Sequence, residues 1–106
     1  MDWKKLVTSW FGHGEWEAQV EHVARACADE AIQRLSWTHE WMSPAERHGY
    51  LRAKATPIVA AYVTLHARHW PETRREKFFA AVHDRAVALM ESRLVQRLRP
   101  AQREAA

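Results

Sequence analysis

The chain has 106 residues, 47% hydrophobic and 27% charged, with a net charge of +3, which supports one domain with a single core and excludes a disordered chain. Three glycines and four prolines are too few for the turns of an all-β protein, and no apolar run approaches the roughly 20 residues of a membrane span. The start lacks the apolar segment and cleavage site of a secretory leader, and a lone cysteine forms no internal disulfide, so a reducing, cytoplasmic setting is expected.

The patterning predicts an all-α fold, a compact antiparallel bundle of four helices over residues 1–106. A split at Pro57 would make five. The first helix covers about 2–11, where Trp3, Leu6, Val7, Trp10 and Phe11 recur at i, i+3, i+4, i+7 and i+8 and make one apolar, aromatic-rich face. So short a helix is marginal alone and needs a surface to lie against. Gly12-His13-Gly14 is expected to end it, because glycine takes the left-handed conformation common at helix termini. A second helix runs over about 15–35, with Trp16, Val20, Val23, Ala24, Cys27, Ala31 and Leu35 on one face. Residues 36–42 form a connector that sets Trp37 beside Trp41.

Ser43-Pro44-Ala45-Glu46 combines an N-cap serine, a proline at the first helical position and glutamate at the third, a strong start signal. The third helix then runs over about 44–69, kinked at Pro57 and stopped by Pro71. Thr73-Arg74-Arg75-Glu76 reads as a second capping box opening a last helix over about 73–99, before Pro100, with 101–106 frayed. The apolar face of this helix drifts. Phe78, Phe79, Val82, Ala86 and Leu89 define it early, and Val87, Met90, Leu94 and Leu98 define it late. That late stripe either wraps round the bundle or projects to meet another chain.

Candidate chemistry is sparse. His66 and His69 are three apart and His83 adds a third imidazole, a weak metal set without the Glu-x-x-His signature of carboxylate-bridged metal bundles. Cys27 sits mid-face and reads as buried structure rather than a nucleophile. No nucleophile elbow, phosphate loop, His-Glu-x-x-His or Cys-x-x-Cys occurs, so the chain is expected to be non-enzymatic and to carry no cofactor.

Charge is unevenly distributed, with four Lys/Arg against seven Asp/Glu in residues 1–42 and twelve against six in residues 43–106. Either an acidic helix packs beside basic ones, or a basic surface meets an anionic partner. Arg74, Arg75, Arg93, Arg97 and Arg99 are the candidate anion or nucleic-acid contacts. Arg74 and Arg75 lie in a first helical turn, where the helix dipole disfavours cations unless Glu72 and Glu76 offset them.

The expected function is that of a small helical interaction or regulatory protein that binds another protein or a second copy of itself. The binding residues are Trp3, Leu6, Val7, Trp10, Phe11, Met90, Leu94 and Leu98, with a rim of arginines. A nucleic-acid-binding accessory protein is the alternative and a His-ligated metal or haem protein the second alternative. A membrane surface is the least favoured partner.

Overall fold

A computed structural model describes the backbone of residues 3–35 and 41–105 and the side chains of residues 14–35 and 41–96. Three helices account for it: α1 (Trp3–Gln33), α2 (Pro44–His66) and α3 (Glu72–Ala105), with no strand among the described residues. The fold is therefore all-α, as expected, but with three helices packed together rather than four or five.

The helix count falls because expected breaks did not occur. Gly14 keeps a right-handed helical backbone, so the expected helices over 2–11 and 15–35 are one. Glycine permits a left-handed turn without imposing it, and Trp16 anchors the chain just beyond. Pro57 lies inside α2 without splitting it. The proline removes the bond to the Ala53 carbonyl, but the neighbouring carbonyl of Arg52 is held by Thr56 Oγ1 at 2.7 Å and by His83 Nε2 from α3 at 3.0 Å. Pro100 likewise fails to end α3, which continues to Ala105 through the helix formers that follow, where fraying was expected.

The start of α2 follows the sequence reading. Ser43 Oγ accepts from the Glu46 amide at 3.2 Å and donates to Glu46 Oε1 at 2.8 Å, with Pro44 next in line. Its end comes earlier than expected. Ala67 caps α2 through Val63 O, and residues 67–70 turn tightly before Pro71, whose ring disfavours a helical conformation at Trp70. The second expected capping box is absent. Helix α3 begins at Glu72, the Arg75 amide donates to Pro71 O at 3.0 Å, and Thr73 lies inside the first turn rather than at the cap.

Side-chain pairings give the topology. Trp16 meets Phe78, Glu21 meets Arg85 and Asp29 meets Arg93, so α1 and α3 run parallel. His48 with Glu91 and Arg52 with Asp84 set α2 antiparallel to α3. Down the middle lie Leu51, Val59, Phe78, Val82, Val87 and Met90, all fully buried. Ala24, Ala28 and Ala31 of α1 are also sealed, and these small side chains let the neighbouring helices approach closely.

The molecule is elongated, 60 × 28 × 20 Å, because the parallel long helices are offset. Trp16 is level with Phe78, and α1 has thirteen helical residues before Trp16 where α3 has six before Phe78. Helix α1 thus starts roughly 10 Å beyond the first residue of α3, at 1.5 Å per residue.

Candidate functional site

The end of the bundle where α2 turns into α3 gathers aromatic rings and cations. Trp16 of α1 stacks on Trp70 of the connection, with ring centres 6.1 Å apart, and meets the edge of Phe78 at 5.3 Å. His66, the last residue of α2, stacks on Phe78 at 5.3 Å, and its ring meets Trp70 nearly at right angles. The Arg74 guanidinium covers this cluster, 4.4 Å from the Trp70 ring centre and 5.9 Å from that of Trp16. Such contacts hold a guanidinium by its face while leaving its edge of N–H donors outward.

Two cavities flank the start of α3. One, of about 580 Å³, is walled by Trp16, Pro71, Thr73, Arg74 and Lys77. The other, of about 330 Å³, lies between α2 and α3 and takes in Glu72, Arg75, Glu76 and Phe79. Arg75 Nε is buried there without a hydrogen-bond partner among the described residues. The expected offset of Arg74 by Glu72 and Glu76 does not occur, because Arg74 turns to the indoles and the two carboxylates line the other cavity.

Along the length of the bundle the cations are paired. Glu21 takes Arg85 through two bonds of 2.6 and 3.1 Å and Arg25 at 2.9 Å. Those guanidiniums, Arg85 foremost, pull the Glu21 carboxyl from an ordinary 4.5 down to about 2. Arg93 is bound to Asp29, Arg34 to Glu30 at 2.6 Å and Arg52 to Asp84 at 3.1 Å. The acidic helix thus packs against a basic one, and Arg93, expected as an anion contact, is occupied within the chain.

The other expected site residues are scattered. Met90 and Leu94 lie in the single-chain core with Val87, so the late stripe of α3 wraps round the bundle, and these two are corrected from partner-binding surface to packing. The side chains of Trp3, Leu6, Val7, Trp10, Phe11, Leu98, Arg97 and Arg99 lie outside the described residues, as does Trp37, expected beside Trp41. His66 and His83 face different partners, His83 being buried under Phe79 with its Nε2 on Thr56 and Arg52. His69 is exposed, and no three potential metal ligands come together among the described residues. Cys27 is fully buried, and burial, with Glu30 adding to it, pushes its thiol up to about 11.

Trp70 and Lys77 escaped the sequence reading as site residues. Trp70 lies between two helices, where helical periodicity gives no signal of what its ring meets. Comparison of the chain with protein-family models, with curated proteins and with solved structures returned no match. Among the described residues no helix is long and apolar enough to cross a membrane.

Proposed function

We propose that this chain is a non-enzymatic interaction protein that offers the N-terminal turns of α1 to a protein partner. The observation that carries this reading is the continuity of α1 from Trp3 to Gln33. It puts Trp3, Leu6, Val7, Trp10 and Phe11 on the leading end of a long helix whose later turns are anchored in the bundle. At 100° per residue the centre of the stripe is rotated by roughly 100° from that of the face carrying Val23, Ala24, Cys27, Ala28 and Ala31. Leu6 and Trp10 fall in line with Ala24 and Ala28 of the buried seam, and Val7 and Phe11 in line with the exposed Arg25 and Asp29. Apolar aromatic residues on a preformed helix suit the groove of a partner.

The pairing of Arg85 and Arg93 with carboxylates of α1 favours this reading over a nucleic-acid groove, which needs its cations free. Replacing Trp3 and Trp10 together by alanine is expected to abolish partner capture from native extract, or self-association in sedimentation, while circular dichroism stays unchanged. Loss of helicity in that double variant instead makes these residues core and overturns the proposal.

A further inference from the structure

We propose that the cavity between Trp16 and the first turns of α3 binds a small phosphate monoester whose organic part is a flat apolar ring. It goes beyond the protein-binding reading and uses none of the residues of the N-terminal stripe.

The first support is where charge is left over. Arg25, Arg34, Arg52, Arg85 and Arg93 each meet a carboxylate, whereas Arg74 and Lys77, like Lys54, Arg68 and Arg75, have none among the described residues. Of these, Arg74 and Lys77 share one cavity wall. The nearest acidic side chains in sequence, Glu72 and Glu76, line the other cavity. Arg74 stands in the first turn of α3, where the partial positive charge of the helix N-terminus disfavours it. An anion seated there is attracted both by the helix N-terminus and by the two cations.

The second support is how Arg74 is held. Its guanidinium carbon lies over the Trp70 ring, 4.4 Å from the centre, and this contact limits where its N–H fork can point before any ligand arrives. Lys77 stands one turn further along the same wall. The Thr73 hydroxyl adds a donor to that wall, and the first amides of α3 have no partner within the helix. A phosphate monoester, with a charge near −2 and three terminal oxygens, satisfies this donor set, whereas a carboxylate offers only two oxygens and one charge. Trp16 and Pro71 supply an apolar wall for the ring, and the depression, of about 580 Å³ and open to solvent on one side, has room for both parts.

The test is a ¹⁵N NMR titration of the full chain with phenyl phosphate, inorganic phosphate and benzyl alcohol at matched ionic strength. Saturating shifts are expected at the Thr73, Arg74 and Lys77 amides and the Trp16 indole N–H, with phenyl phosphate at least tenfold tighter than either fragment. Arg74→Gln should weaken it about tenfold and Lys77→Gln severalfold. If Arg74→Gln fails to fold, Lys77→Gln decides, because that side chain has no hydrogen bond or ion pair with the described residues. Equal affinity for all three probes, or unchanged binding in Lys77→Gln, overturns the proposal. A tyrosine-phosphorylated peptide that binds tighter than phenyl phosphate assigns the site to protein-borne phosphate and overturns the small-molecule assignment. The Trp3/Trp10 double variant should bind phenyl phosphate unchanged, so this site and the proposed partner surface fail independently.

Discussion

Glu21 carries more of the electrostatics than any other described carboxyl, because guanidiniums reach it from two helices. A carboxyl held low in the folded state stabilises fully above its unfolded value and loses that contribution as pH falls toward its folded value. For Glu21 the window runs from about 4.5 down to about 2. Its side chain is 30% exposed and that of Arg85 46%, so solvent screening leaves the pair on the order of 1 kcal/mol. Glu21→Gln should therefore lower stability at pH 7 by that amount and flatten the loss between pH 4.5 and pH 2. Urea midpoints at pH 7 and pH 3 measure it, and an equal acid loss in variant and parent sinks the assignment. Cys27 lacks both the exposure and the thiolate population that reactivity requires. Its place in the middle of an alanine-rich face made that legible beforehand.

At the scale of the element, the helix starts and stops differed in legibility. Ser43-Pro44-Ala45-Glu46 was readable because the cap is local: hydroxyl, amide and carboxylate lie within four residues. At Pro57 the favoured reading of one helix holds. Gly12, Gly14 and Pro100 did not break the helices they were expected to end, because a breaker states a cost and not an outcome, and packing elsewhere decides whether that cost is borne. Gly14 makes this measurable. A Cβ built there meets nothing within 4 Å, and its backbone is helical, so Gly14→Ala should stabilise the protein by about 0.5–1 kcal/mol through helix propensity and a less flexible unfolded chain. Thermal unfolding of the variant checks this, and a lowered midpoint shows that the bare backbone is needed for a close approach. The drift of the late α3 stripe was read correctly as a pattern. Its two explanations separated only when Met90 and Leu94 were found beneath the other helices.

At the scale of the molecule, two reversals of three long helices make α1 and α3 parallel neighbours, and the alanines of α1 set how close they come. Ala28 is fully buried, so Ala28→Leu should force the helices apart and cost about 1–3 kcal/mol, read as a lowered denaturation midpoint. A midpoint equal to that of the parent means the interface is looser than its burial implies. The same parallel arrangement lays the acidic helix against the basic one, and Glu21 and Asp29 of α1 answer Arg85 and Arg93 of α3. Arg74 and Lys77, at the start of α3, have no carboxylate among the described residues.

From the order of residues alone came the helical class, the apolar faces, the Ser43 start and the structural role of Cys27, since each depends on neighbours within a turn or two. The tertiary structure decided the number of helices, the partners of the arginines, the burial of Met90 and Leu94, and the gathering of Trp16, Trp70, Arg74 and Phe78. Those outcomes depend on contacts between residues far apart in the chain, and local periodicity carries no record of which distant face comes to lie opposite.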